Sequence, residues 1–222
     1  MEVKVMAQIL DKNDKLAREI NQQLTARGIY ALNLLGSPGA GKTALLEATI
    51  SRLKNEVKLA VIEGDLYTDK DKDRIARHGV PVFQINTAGG CHLDATMVEQ
   101  ALASLDLSGI ELLIIENVGN LVCPANFNVG EHAKVVVLSV TEGEDKPLKY
   151  PLVFQESSAV VLNKIDLLPY TNFNLDTATA DIKTINSGIQ LFNISCRSGE
   201  GLHEWCCWLK GMASTVSRQA KV

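Results

Sequence analysis

This sequence is short of several things, and each shortage removes a class of protein. None of its 222 residues fall in an apolar run long enough to cross a bilayer, so nothing points to a membrane partner. There is no excess of positive charge. Lys and Arg number 22 against 26 Asp and Glu, a net charge of −4, whereas general nucleic-acid binding needs concentrated basic charge. Cysteines are few and odd in number: Cys91, Cys123, Cys196, Cys206 and Cys207. An odd set in a cytosolic chain argues against a disulfide framework. The opening "MEVKVMAQILDKNDKLAREI" is amphipathic and charged and lacks a signal-peptide core, which sets the expectation of a cytoplasmic protein. There is no internal repeat and no low-complexity tract.

What is present is ordinary for a globular chain: 46% hydrophobic and 22% charged residues, at a length that suits one substantial α/β domain. From about Ala7 to Arg27, the apolar residues Ile9, Leu16, Ile20 and Leu24 fall at helical spacing, and Gly28 is a stop signal. Seven short runs rich in Val and Ile follow, from "IYALNLL" through "LAVIEGD", "PVFQIN", "ELLIIEN", "AKVVVLSVT" and "AVVLNKID" to "IQLFNIS". They do not alternate apolar with polar, the pattern of strands buried on both faces. "DKDRIARHG" reads as a short helix and "ATMVEQALASL" as a helix capped by Asp94. A last helix is expected after Gly201. Strands alternating with helices predict a doubly wound, mostly parallel, seven-stranded α/β sheet.

The chemistry starts at "GSPGAGKT", which matches G-x-x-x-x-G-K-[ST] over Gly36, Ser37, Pro38, Gly39, Ala40, Gly41, Lys42 and Thr43. It sits between a strand and a helix, the context the motif requires. Gly36, Gly39 and Gly41 let successive N–H groups face a polyphosphate, Lys42 can reach the β- and γ-phosphates, and the Thr43 hydroxyl can coordinate magnesium. The helix N-terminus adds partial positive charge. The chain therefore divides into an amphipathic helix over residues 1–28 and a P-loop domain over 29–222.

Guanine is favoured over adenine by Asn163-Lys164-Ile165-Asp166, placed after the sixth strand at the carboxyl edge where open α/β sheets bind ligands. The Asp166 carboxylate offers acceptors for N1–H and the 2-amino group, which adenine lacks. The Lys164 stem can lie along the base, and Asn163 can brace the loop. After the seventh strand, Ser195-Cys196-Arg197 stands where GTPases place an S-A-K loop that offers a backbone N–H to the guanine O6. Cys196 then reads as a small residue of the base pocket rather than a metal ligand.

Glu116-Asn117-Val118-Gly119 resembles a Walker B and switch II segment. Glu116 would reach magnesium through water, and the Gly119 N–H could sense a γ-phosphate. Asp65 could position the attacking water. Among Asp69, Asp71 and Asp73, Asp71 is the chosen magnesium-side contact, with a solvated acidic face as the equal alternative. Asn120 stands where small Ras-like GTPases carry Gln and is one methylene shorter, so hydrolysis on the order of 10⁻⁴–10⁻² s⁻¹ is expected.

In "AGGCHLDAT", Cys91 lies beside His92, and Cys123-Pro124 follows the fourth strand. Loops at one strand edge can converge, and two sulfurs with one imidazole suit Zn²⁺ or Ni²⁺ and not Mg²⁺. One chain offers only three ligands, and two copies across a two-fold axis would supply enough. Glu116 and Cys123 share one segment, so a γ-phosphate that orders residues 117–119 would move Cys123. The competing reading is packed thiols, since a buried Cys is usually a small hydrophobe. Cys206 and Cys207, beside Trp205, Trp208 and Leu209, are expected in the core. His78, His132 and His203 are expected to be surface or packed residues.

The succession "GSPGAGKT", "EGD", "CHLDA", "IENVGNLVCP", "SVTEGEDKPLKYP" and "NKIDLL", spanning about Gly28 to Gly211, resembles the HypB family of nickel-incorporation GTPases used in nickel–iron hydrogenase maturation. That resemblance implies a dimerising SIMIBI-type P-loop GTPase. It also implies a homodimer favoured by GTP, and nickel or zinc held at the interface by Cys91, His92 and Cys123. Lys149 matches a lysine that reaches the opposite subunit's nucleotide, so the resemblance adds it to Lys42, Asp65 and Glu116 as catalytic. The implied partners are a HypA-like nickel-binding protein and the hydrogenase large subunit. Some members carry a Cys- or His-rich N-terminal tract. Neither residue type occurs here before His78, so nickel storage is not expected. A urease-maturation relative is the runner-up, but its Cys-Pro-His motif is met here by Cys123-Pro124-Ala125. A GTP-dependent interaction switch without a metal remains an alternative. An ATP-using kinase is disfavoured by Asp166.

Overall fold

The computed structural model describes residues 2–65 and 74–220, with side chains from residue 7 onward. Seven strands form one sheet: β1 Tyr30–Leu35, β2 Leu59–Asp65, β3 Val82–Asn86, β4 Leu112–Glu116, β5 Ala133–Ser139, β6 Ala159–Asn163 and β7 Gln190–Ile194. Their order is β3-β2-β4-β1-β5-β6-β7, and every pairing is parallel. All residues of β1, β4, β5 and β6 are buried, which is why their sequences do not alternate.

Side-chain parity splits the strands between two helical layers. On one face Tyr30, Leu32, Leu34, Val135 and Val137 pack against α2 (Lys42–Leu53) and the last helix, Leu202–Gln219. Leu45, Leu46 and Ile50 of α2 are fully buried there, worth about 1.5–3 kcal/mol each against exposure. Trp205 of the last helix donates its indole N–H to Thr49 Oγ1 at 2.9 Å and locks the two helices together. On the other face Ala31, Ile62, Leu113 and Ile115 meet α1 (Glu2–Ala26) and α3 (Ala95–Ser104). The layer continues through α4 (Lys146–Lys149), α5 (Pro151–Gln155) and α6 (Leu175–Ile185), with α7 the Leu202–Gln219 helix already met.

α1 starts at Glu2, earlier than the spacing suggested, and buries Ala17, Ile20 and Leu24 in the same core as Ile29. The Asp94 carboxylate caps α3, accepting from the Met97 N–H at 2.8 Å. Two 3₁₀ turns, Cys123–Asn126 and Ile165–Tyr170, escape periodicity because each is too short to show one. The pairing of Cys206 with Cys207 in the core is corrected: Cys206 is buried and Cys207 is exposed beside His203. Consecutive helical residues point about 100° apart, so one apolar face cannot take both. Among the described residues no helix is long and apolar enough to cross a membrane.

Candidate nucleotide site and metal centre

Neighbours of β1 lie on both sides of it, β4 and β5, and the chain crosses outward in both directions from there. That makes the carboxyl end of β1 the topological switch point, and the phosphate loop emerges from it. Gly41, just before α2, has φ +95°, and a Cβ there would lie 2.4 Å from Asn163 Nδ2. Only glycine fits both the angle and the approach. Lys42 is buried, and its ammonium turns inside the loop, donating to the carbonyls of Gly36 at 3.2 Å and Ser37 at 3.4 Å.

Two cavities meet at the loop. One, of about 410 Å³, is lined by Pro38, Lys42, Thr43, Asp65, Glu116 and Gly119, among others. The other, of about 610 Å³, is lined by Ala48, Asn163, Asp166, Leu167, Cys196 and Arg197, among others. Gly41, Ala44 and Lys164 border both. A polar chamber opening onto a larger, more apolar one is the shape of a site for a polyphosphate joined to a flat base.

In the first chamber the Thr43 hydroxyl donates to Glu116 Oε1 at 2.8 Å. Asp65 ends β2 and Glu116 ends β4, adjacent strands of the sheet. These are hard oxygen donors in one place, a set that fits Mg²⁺. Asp69, Asp71 and Asp73 lie outside the described residues. In the second chamber Ser195 Oγ donates to Asp166 Oδ1 at 2.6 Å. Asn163 Nδ2 donates to the Ala40 carbonyl at 3.0 Å, and Lys164 Nζ to the Gly39 carbonyl at 2.7 Å, tying the base loop to the phosphate loop. Cys196 donates to Asn163 Oδ1 at 3.4 Å, and burial pushes its thiol up to about 11, so it is a neutral lining residue. Lys149 lines neither chamber. It stands on α4, largely exposed, ion-paired with Asp145, whose carboxylate holds the ammonium above its ordinary range.

Sequence reading passed over two residues of the first chamber. Glu63, in β2, is buried and lines it, and Arg74 lines it while chelating Glu47 at 2.6 and 3.2 Å. A lone Glu in the apolar run "LAVIEGD" was the available signal for Glu63. Arg74 carried none.

Cys91, His92 and Cys123 converge. One ligand atom from each lies within 4.8 Å of the others. Cys91 Sγ is 3.4 Å from His92 Nδ1, and a hydrogen bond with Cys123 raises the Cys91 thiol above its ordinary value. Burial lowers the His92 imidazole, favouring the neutral ring that a metal needs, and Phe127 packs against it, tilted by 35°, at 3.9 Å between centroids. Pro124 follows Cys123 in the 3₁₀ turn, whose Ala125 carbonyl accepts from the buried Lys134 Nζ at 2.8 Å, fixing the turn to β5. Soft ligands lie one loop away from the hard-oxygen chamber. His132 is packed instead: its Nδ1 accepts from the Ala31 N–H at 3.0 Å.

Strand, glycine loop, helix and paired chambers define a P-loop nucleotide-binding protein with a Cys/His cluster beside the nucleotide site. Comparison with known proteins narrows the class. Residues 30–193 match the family model of the CobW/HypB/UreG nucleotide-binding domain. The hydrogenase maturation factor HypB of Escherichia coli K12 is 51% identical over 208 residues, 94% of this chain and 72% of that protein. The hydrogenase/urease maturation factor HypB of Helicobacter pylori is 40% identical over 208 residues, 92% of this chain and 85% of that protein. The crystal structure of Helicobacter pylori HypB in complex with nickel superposes with a TM-score of 0.88 at 38% identity, covering 92% of this chain and 96% of that one. The chain belongs to the HypB family of hydrogenase maturation factors.

Proposed function

We propose that this chain is a cytoplasmic, GTP-hydrolysing metallochaperone that assists nickel insertion into nickel–iron hydrogenase, with nickel as cargo of the Cys91–His92–Cys123 site. The observation that carries the reading is the convergence of those three ligands within 4.8 Å, with the segment that leads to Cys123 bordering the phosphate chamber through Asn117, Val118 and Gly119. The nickel complex of the Helicobacter pylori relative supports the choice of metal. Zinc satisfies the same donors and is the natural competitor.

In this reading the N-terminal helix, residues 1–28, is an appendage of a GTPase domain over 29–222. The phosphate loop, Gly36 to Thr43, cradles the polyphosphate with its N–H groups. Lys42 swings from the loop carbonyls to the β- and γ-phosphates. Thr43, Asp65 and Glu116 would hold magnesium, with Asp71 a further candidate. Bound there, the ion neutralises charge on the β- and γ-phosphates. Asp65 orients the water that attacks the γ-phosphorus, and the Gly119 N–H bonds a γ-oxygen. Asp166 reads guanine, with Asn163, Lys164, Ser195 and Cys196 shaping its pocket. Among the described residues no side chain lining the chamber is a Gln, which supports slow turnover. Two chains facing each other would complete the metal's coordination and bring Lys149 to the partner's nucleotide. A HypA-like protein and the hydrogenase large subunit are the expected partners upstream and at delivery.

Nickel titration of the metal-free chain, with GDP and then with a non-hydrolysable GTP analogue, tests this. A nucleotide-dependent affinity that Cys91→Ala abolishes is expected. Equal affinity in both states sinks the coupling, and no binding in either withdraws the metallochaperone reading. A urease client is a second reading, favoured by the hydrogenase/urease name of the Helicobacter pylori relative.

A further inference from the structure

We infer that Asn120 is a positioning residue of the metal site, not of the hydrolytic water: a strut that ties the Cys91 segment to the Cys123 segment and moves with the phosphate loop. The inference rests on the nucleotide-coupled metal reading above.

Both ends of the Asn120 amide are engaged away from the phosphate chamber. Its Nδ2 donates to the Cys91 carbonyl at 3.2 Å, and its Oδ1 accepts from the Val122 N–H at 2.9 Å. One bond grips the first sulfur ligand's own backbone. The other grips the residue immediately before the second, Cys123. The two ligand-bearing loops leave different strand ends, β3 and β4 with β2 between them, so the sheet brings them near each other but does not set their final separation. This amide spans it directly.

The backbone of Asn120 is anchored at the other end. It forms an antiparallel bridge with Gly36, the first residue of the phosphate loop. Its neighbour Gly119 lies so tightly on Pro38 of that loop that a Cβ would fall 2.9 Å from the proline ring and 3.0 Å from its nitrogen. There is no slack between Gly119 and the loop for a shift to dissipate in. On the far side of Gly119, the buried Asn117 holds a second point of the ligand loop. Its Oδ1 accepts from the N–H groups of Val118 at 3.0 Å and of Leu93, the residue after His92, at 3.1 Å. Its Nδ2 donates to Asn33 Oδ1 at 3.2 Å, which pins it to β1. Asn117 is thus the fixed pivot and Asn120 the moving arm. The segment between them is the one a γ-phosphate would contact. Metal–ligand distances tolerate only about 0.2 Å of error, so a small displacement of Cys91 against Cys123 is enough to change affinity.

The side chain must donate and accept at once. Asparagine does both at the right reach. Aspartate keeps the acceptor for Val122 and loses the donor to Cys91. Asn120→Asp therefore cuts one end of the strut and leaves the other.

The test is a nickel titration of the full chain, followed by thiolate-to-nickel absorbance, in Mg²⁺-GDP and in Mg²⁺-GTPγS. It compares wild type, Asn120→Asp and Asn120→Ala, with single-turnover GTP hydrolysis and a thermal melt on each. In wild type the two nickel affinities are expected to differ by about fivefold or more. In both variants the ratio is expected to fall within about twofold while hydrolysis stays within about threefold of wild type. A variant that keeps the wild-type ratio overturns the inference. So does one that loses hydrolysis by more than about tenfold with the ratio intact, which would make Asn120 a water-positioning residue. If wild type itself shows equal affinities, the coupled reading of the function fails and the strut falls with it. If Asn120→Asp melts early, Asn120→Ala decides alone.

Discussion

Replacing Asp166 with Asn changes one oxygen for one amide nitrogen and should invert the choice of base. Asp166 is half-buried at the floor of the 610 Å³ chamber, and its Oδ1 already accepts from Ser195 Oγ at 2.6 Å. In Asp166→Asn the amide oxygen keeps the Ser195 hydroxyl as its donor, because Ser195 Oγ already accepts from the Ser198 N–H at 3.1 Å and has its proton to give. The NH₂ then points at the base. Guanine presents N–H donors there, so two hydrogen bonds to a charged acceptor are lost. Each is worth about 1.5–3 kcal/mol, and together about 3–6 kcal/mol, so guanine nucleotide affinity should fall about 10²–10⁴-fold. Xanthine carries a carbonyl at C2 and accepts from the new amide, so xanthosine nucleotides should gain. Displacement of a fluorescent GDP by GDP and by XDP measures both, with a thermal melt to confirm an intact fold. Guanine affinity within about threefold of wild type would refute base reading by Asp166, and with it the argument for GTP over ATP.

Other perturbations follow from the packing. Lys134 and Glu131 have side chains 5% and 4% exposed, and their charges approach to 3.8 Å. Lys134→Met strands the carboxylate and frees the Cys123 turn, costing about 3–5 kcal/mol in urea unfolding, while adding Glu131→Gln should recover more than half. A loss under about 1 kcal/mol for the single variant would show that the pair is not energetically coupled. His132 is held neutral by burial and by its two ring contacts, the Ala31 N–H and Thr25 Oγ1 at 2.9 Å. Its folded pKa lies below its unfolded one, so the unfolded chain takes up the proton first. Stability should therefore fall as pH drops below about 6.5 and level off below the folded value. The urea midpoint at pH 7.5 and 5.5 should differ less in His132→Gln than in wild type, and equal differences would remove His132 from the account.

Much of the architecture was legible because it follows from local physics. Non-alternating Val/Ile runs announce doubly covered strands, and all seven are present, every pair parallel. A carboxylate before an apolar repeat announces a cap, and Asp94 is one. The glycine loop is legible because its geometry is written in consecutive residues. Cys207 shows the limit of such reading: composition marks a face as apolar, but the turn angle of the helix decides which of two adjacent thiols it takes.

Sequence by itself determined the parts: strands buried on both faces, a phosphate loop between β1 and α2, carboxylates at strand ends, a thiol next to an imidazole, and membership of the HypB family by the order of its motifs. Tertiary structure decided which of those parts meet. That Cys123 lies within 4.8 Å of the Cys91–His92 pair depends on where β3 and β4 end in the sheet, with β2 lying between them, and no spacing along the chain encodes it. That Lys164 borders both chambers, that Glu63 lines one, and that Asn117 and Asn120 reach across to the Cys91 loop are likewise properties of the assembled sheet. The physical reason is one of range. Backbone propensity and side-chain periodicity act over a few residues and can be read in order. Hydrogen bonds and ligand clusters act over a few ångströms between segments that only the packed core brings together.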